Sequence, residues 1–213
     1  MPCLTAPETP EKKKARHASE RETERVQTLR TTFRETVHPL DVHRVKGVDA
    51  SGVPVALIRR YGWATPGQRV VDQVPDNYGS NSTLLAALGL AGLDAPWIVD
   101  GASNGDSCRW WVRAVLGPTL PPGDIVLWEN LAAHKVAGLE AVRPARGARL
   151  LPLSPYSPDF NPLEPCWSKI KTAVRRAKAR TVDALIDAVT QALETITEAD
   201  IRGWFTHCGY SIQ

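Results

Sequence analysis

The chain is expected to fold as an α/β domain on a mixed β-sheet flanked by helices, with an N-terminal helix and C-terminal helices. Three observations lead there. β-rich segments fill the stretch from His43 to Leu93, short apolar strands alternate with helical patterns from Pro96 to Leu153, and the rest carries apolar residues at helical spacing. At 213 residues, 43% of them hydrophobic, the chain is long enough for one sizeable core.

Residues 1–17 are polar, with three prolines and the run Lys12-Lys13-Lys14, and read as a flexible basic tail. Residues 18–38 form the N-terminal helix: Ser19 and Glu22 have the spacing of a capping box, and Val26, Leu29, Phe33 and Val37 recur on one face. Residues 39–213 form the main domain. Val45–Val48, Val53–Ile58 and Arg69–Val74 read as strands, punctuated by Gly52 and by the turn Thr65-Pro66-Gly67. Ser82–Leu93 is a fourth strand or a buried helix, which periodicity does not decide.

Pro96–Val99 is a short apolar strand, and a helix follows around Ser107–Leu116. The turn Pro121-Pro122-Gly123 leads into a strand, Asp124–Trp128; a helical or irregular stretch runs to Arg146, and Arg149–Leu153 is the last strand. After the proline-rich loop Ser154–Pro162, Leu163, Trp167, Ile170 and Val174 mark one helix. Val182 to Ile196 mark another, and Ala199–Phe205 a short third.

Composition excludes several classes. The four cysteines are scattered without a CxxC pair, giving neither a zinc site nor a disulfide framework and pointing to a reducing compartment. The longest apolar run, Leu84–Leu93, is ten residues with two glycines, against the roughly 20 a membrane span needs. The N-terminal lysines lack the apolar stretch of a secretory signal, so a cytoplasmic protein with no membrane association is expected. Net charge is only +3, so any case for nucleic acid must rest on local clustering.

Three acids sit where strands or loops deliver side chains to one sheet edge: Asp49 after Val45–Val48, Glu129 after Ile125–Trp128, and Glu164 opening the helix after the proline-rich loop. Hard divalent cations take such oxygen ligands. Two ions about 3.5–4 Å apart can activate an attacking oxygen and stabilise a leaving one. Between Glu129 and Glu164 lie 34 residues, but the same interval separates Asp124 and Asp159. Asp124 opens its strand, at the wrong end to join Asp49 if the strands run parallel, and Asp159 lies in a turn where local hydrogen bonding favours Asp. That pair is read as structural.

At these residues a family resemblance emerges. Ser154-Pro-Tyr-Ser-Pro-Asp-Phe-Asn-Pro-Leu-Glu164, followed by Trp167, Lys169 and Lys171, resembles the third motif of bacterial insertion-sequence transposases of the insertion sequence 630 group, relatives of the mariner transposases. Glu129-Asn-Leu-Ala-Ala-His-Lys135 resembles the second motif of that family, and Val48-Asp-Ala-Ser-Gly52 the first. The resemblance implies a ribonuclease-H-like fold and a DDE triad of Asp49, Glu129 and Glu164 binding Mg²⁺ or Mn²⁺ as two ions. It implies cleavage of transposon ends and their joining to target DNA. Two positions depart from the family: the second acid is Glu where Asp is usual, and Ala50 replaces an acid. The extra methylene displaces a carboxylate by about 1.5 Å.

Such relatives usually carry an N-terminal helix-turn-helix region for end recognition, which this chain is expected to obtain from a separately encoded part or to have lost as a truncated remnant. A homodimer and association with the bacterial nucleoid fit the same reading. Two alternatives stay open: an inactive remnant that only binds DNA, and a ribonuclease-H-like nuclease without strand transfer.

DNA contacts are assigned to Asn130, His134 and Lys135 after the second acid, and to Lys169, Lys171, Arg175 and Arg176 on the helix after the third. Residues 165–180 contain no acid at all, so this helix can neutralise phosphates. Trp167 is expected in the core. Trp110 and Trp111 cannot both face inward on one helix.

Overall fold

The structure, a computed structural model, describes residues 18–55, 57–58, 63–71, 73, 81–129 and 147–212. The tail and the stretch from Asn130 to Arg146 lie outside them. Five strands, β1 (Val45–Pro54), β2 (Asn81–Gly89), β3 (Gly92–Val99), β4 (Ile125–Trp128) and β5 (Arg149–Pro152), form one sheet in the order β3-β2-β1-β4-β5. β1–β2 and β2–β3 are antiparallel, whereas β4 runs parallel to both β1 and β5. The sheet is therefore mixed, as expected.

Helices are α1 (Glu24–Val37), α2 (Gly105–Trp111), α3 (Leu163–Ala177), α4 (Val182–Glu194) and α5 (Glu198–His207). Among the described residues no helix is long and apolar enough to cross a membrane. Alternation along the strands divides the core between the two sheet faces. Val45, Leu84, Leu88 and Leu127 pack with Leu163, Trp167, Ile170 and Val174 of α3 and with α4 and α5. Val48, Leu85, Ala87 and Val126 pack on the opposite face with Trp111, Val112 and Leu116. Strand β2 is buried on both faces, so its run Leu84–Leu88 shows no alternation and could not be told from a buried helix by periodicity.

Several local expectations are corrected. No capping box forms at Ser19; Thr23 is the N-cap of α1, and Ser19–Glu22 make a separate 3₁₀ turn. On α1 Arg30, not Leu29, joins Val26, Phe33 and Val37 inside; Leu29 is 38% exposed. Gly52 is no turn: β1 runs through it, paired with Thr83, and ends at Pro54, so Leu57 and Ile58 lie beyond the strand. Arg69–Val71 are not a strand either, and Val71 is 86% exposed, because β-branched residues make a strand only where a neighbour offers pairing and burial. The Thr65-Pro66-Gly67 turn is present, with Gln68 N–H donating to the Thr65 carbonyl at 3.0 Å.

Trp111 is fully buried, its indole N–H donating to the Ala95 carbonyl at 2.9 Å, while Trp110 is 54% exposed and rests against Trp97. Cys108, Cys166 and Cys208 are buried, and burial pushes the Cys166 and Cys208 thiols up to about 12.

Candidate active site

Parallel pairing of β1 and β4 places their C-terminal ends at one edge of the sheet. Val48 is in register with Trp128, so Asp49 and Glu129 are the next residues on two adjacent strands. Period-two alternation puts Asp49 on the side of Val45 and Gly47, and Glu129 on the side of Leu127, which is the face covered by α3. Asp124 stands at the other end of β4, buried, facing Lys46 Nζ at 3.5 Å and Arg44 at 3.8 Å. Asp159 pairs with Arg30 and Arg21. Both members of the competing pair are thus engaged in ion pairs, and neither lines the cavity shared by Asp49, Glu129 and Glu164.

Helix α3 delivers the third acid. Asn161 Oδ1 accepts the Leu163 N–H at 3.1 Å and its carbonyl accepts the Glu164 N–H, fixing the first turn. Gly47 lets this turn approach β1: a Cβ there would lie 2.7 Å from Asn161 Oδ1 and 3.0 Å from Pro162 Cδ. Asp49, Glu129 and Glu164 consequently line one cavity of about 280 Å³ with Val48, Ala50, Ser51, Trp128 and Lys171.

The electrostatics of this cavity favour a cation. Burial pushes the Glu164 carboxyl up, the Asp49 charge pushes it further, and Lys171 offsets part of both. All the acidic donors are hard oxygens, the ligand type of Mg²⁺ and Mn²⁺. Among the described residues no three His, Cys, Asp or Glu side chains form a ready-made cage for one ion. The donor set fits divalent ions by chemistry and by shared cavity, with two acids whose repulsion a cation would relieve. Ala50, one departure from the family pattern, packs against the Trp111 cluster on the opposite face from Asp49.

The predicted basic residues fall into three groups. Lys171 lines the cavity, and Arg175 and Arg176 continue along α3. Lys169 instead donates to Asp200 at 2.5 Å and to the Thr195 carbonyl at 2.8 Å, and with the Thr197 hydrogen bonds this holds the Asp200 carboxyl at about 2. Its charge is thus paired with a carboxylate of the protein itself. Asn130, His134 and Lys135 lie outside the described residues. Trp167 is in the core as expected, and its indole N–H also donates to Asp49 Oδ2 at 2.9 Å, a role that sequence reasoning did not assign. The signal was present: Glu164, Trp167 and Lys171 are spaced three and four apart and share one helix face.

The fold is similar to that of known proteins. The chain resembles the Mos1 transposase paired-end complex with left transposon end at TM-score 0.73 and 16% identity, over 94% of this chain and 64% of that one. It resembles the Mos1 strand transfer complex at TM-score 0.70 and 15% identity, over 94% and 62%. The Mos1 catalytic domain with raltegravir and Mg matches at TM-score 0.58 and 14% identity, over 87% and 92%. At such identities the likeness establishes the fold, which is ribonuclease-H-like as expected. The chain spans less than two thirds of the longer Mos1 chains, and no curated protein sequence matches it. The family model of the DDE superfamily endonucleases matches residues 44–186, from just before β1 into α4, and the chain belongs to that superfamily.

Proposed function

We propose that this chain is the catalytic domain of a DNA transposase of the insertion sequence 630 and mariner group, cutting transposon ends and joining them to target DNA. One observation carries the reading: Asp49, Glu129 and Glu164 line one cavity with Lys171. Bound Mg²⁺ or Mn²⁺, as a pair, would supply activation of the attacking oxygen and charge neutralisation at the leaving one. The chain's own contribution is positioning. Asp49 and Glu129 would hold the ions from two rigid strands and Glu164 from the first turn of α3. Lys171, Arg175 and Arg176 would hold the phosphates of the strand to be cut. Structures of Mos1 with Mn and with Mg support the choice of metal.

The proposal extends to the partners: transposon ends and target DNA, a separately encoded helix-turn-helix part, and a second copy of the chain, acting at the bacterial nucleoid. The test is nicking of supercoiled plasmid with Mg²⁺ or Mn²⁺, followed by an assay for joined products. Metal-dependent nicking lost in Asp49→Asn and Glu164→Gln supports the reading, and nicking without joined products would reassign the chain as a nuclease. Glu at position 129, where the family usually has Asp, favours a second reading: a remnant that binds DNA without cutting it. Retained DNA binding with no metal-dependent nicking would establish that one.

A further inference from the structure

Within the metal-site reading above, we propose that Trp167 is a positioning residue for Asp49, its indole setting the direction in which the carboxylate meets a divalent cation. Trp167 is 3% exposed, and its ring is packed in the core with Leu163, Ile170 and Phe205. An indole has one donor and no acceptor, so this buried ring has a single polar commitment, and it makes it to Asp49 Oδ2 at 2.9 Å. A tryptophan needed only for its bulk could make that bond to any backbone carbonyl, as Trp111 does with Ala95 on the other face of the sheet.

Asp49 needs such a hold. Its charge acts unfavourably on Glu164 across the cavity, so without a cation the two carboxylates push apart. The indole opposes that push from a ring that packing has already immobilised. A carboxylate oxygen has two lone pairs, so accepting the indole N–H does not disqualify Oδ2 as a ligand. Helix α3 therefore presents one proposed ligand, Glu164, and three residues on, the group that aims another. Partners of this kind orient ligands and raise metal affinity, and their loss typically weakens binding about 10–100-fold.

The experiment uses the full chain and Mg²⁺ alone, with binding followed by calorimetry and by the indole ¹H–¹⁵N resonances. In the wild type, the Trp167 indole resonance is expected to shift with the Mg²⁺ titration, and Asp49→Asn to remove that response. Trp167→Phe, which keeps an aromatic ring and removes the donor, is expected to weaken Mg²⁺ binding about 10–100-fold. Trp111→Phe, which loses an equally buried indole bond, is expected to bind Mg²⁺ as the wild type does. A folded Trp167→Phe protein with wild-type Mg²⁺ affinity would overturn the proposal and leave the metal site standing. Should that variant not fold, an indole resonance of Trp167 that stays put at saturating Mg²⁺ in the wild type would overturn it equally. Absence of any Mg²⁺ binding in the wild type would overturn the metal-site reading, and the role of Trp167 with it.

Discussion

Arg30 and Asp159 are 129 positions apart and meet in a two-pronged ion pair, with N–O distances of 3.0 and 2.7 Å, that ties α1 to the loop before α3. Arg30 also donates to Ser157 Oγ at 2.6 Å and lies over the Phe160 ring, 4.4 Å from its centroid. Its side chain is only 2% exposed, so losing the carboxylate would strand a buried charge. Asp159→Ala is expected to destabilise the fold by about 3 kcal/mol, read as a lower urea midpoint. An unchanged midpoint would mean that water solvates the guanidinium despite its burial.

The same pair sets an acid limit. Burial raises the Asp159 carboxyl, but the hydrogen bond and charge of Arg30, with the charge of Arg21, outweigh it and hold the group below the ordinary 3.8. A depressed folded value means that the stabilisation is complete above that ordinary value and is lost as pH falls through the folded one. Wild-type stability is expected to drop more steeply below about pH 4 than that of Asp159→Asn. Parallel acid-unfolding curves for the two proteins would refute the coupling.

Gly47→Ala would drive a Cβ against Asn161 and Pro162, where neither the loop nor the strand has room. A cost of about 1–3 kcal/mol is expected, as for overpacking elsewhere. The strain would fall on the contact that sets the distance from β1 to α3, so thermal unfolding should shift down. Gly92→Ala meets no neighbouring atoms but places an Ala at φ 142°, so it separates backbone strain from collision.

The legible parts of this architecture were those with a local signature. Apolar segments and turn residues marked β4, β5 and the three C-terminal helices, and the proline-rich run before Glu164 marked the third acid. Parallel pairing then decided between Glu129 and Asp124, since only one end of β4 faces Asp49. Relations between distant residues were not legible. Nothing near Arg30 announces a partner 129 positions away, and although Trp167 shares a helix face with Glu164 and Lys171, nothing in that spacing names Asp49 as its partner. Propensity misled where burial was absent, at Val70 and Val71, and where a glycine sat within a paired strand, at Gly52.

Position 129 tests the departure from the family pattern. Glu129→Gln is expected to abolish metal-dependent nicking, and Glu129→Asp to raise it by shortening an overlong ligand. Misplacement by about 1 Å can change rates by up to about 10²-fold, so the effect should be measurable in a single-turnover assay. A fall with Asp would show surroundings adapted to the longer side chain. Indifference of both rate and Mg²⁺ affinity to Asp, Gln and Ala would remove Glu129 from the site.

Neutralising Lys171, Arg175 and Arg176 together should weaken DNA binding alike on unrelated sequences. If each contacts one phosphate, the slope of log affinity against log salt should shrink by about 2–3 units. Lys169→Gln serves as the contrast: its ion pair with Asp200 predicts a loss of stability with little change in the salt slope. A slope unchanged in the triple variant would return the helix to a solvated role.

The acids of the cavity come from two strands that pair in parallel across a long stretch of chain, and from a helix that follows both. During synthesis, then, a ribosome that has completed Asp49 must still add 115 residues before Glu164 exists. At about 5–20 residues per second that is an interval of roughly 6–23 s. For the first 80 of those residues Asp49 is the one cavity acid yet made, and Glu129 joins it before Glu164 completes the lining. Under the proposed function, the set of metal-binding acids is therefore incomplete until about three quarters of the chain has been translated.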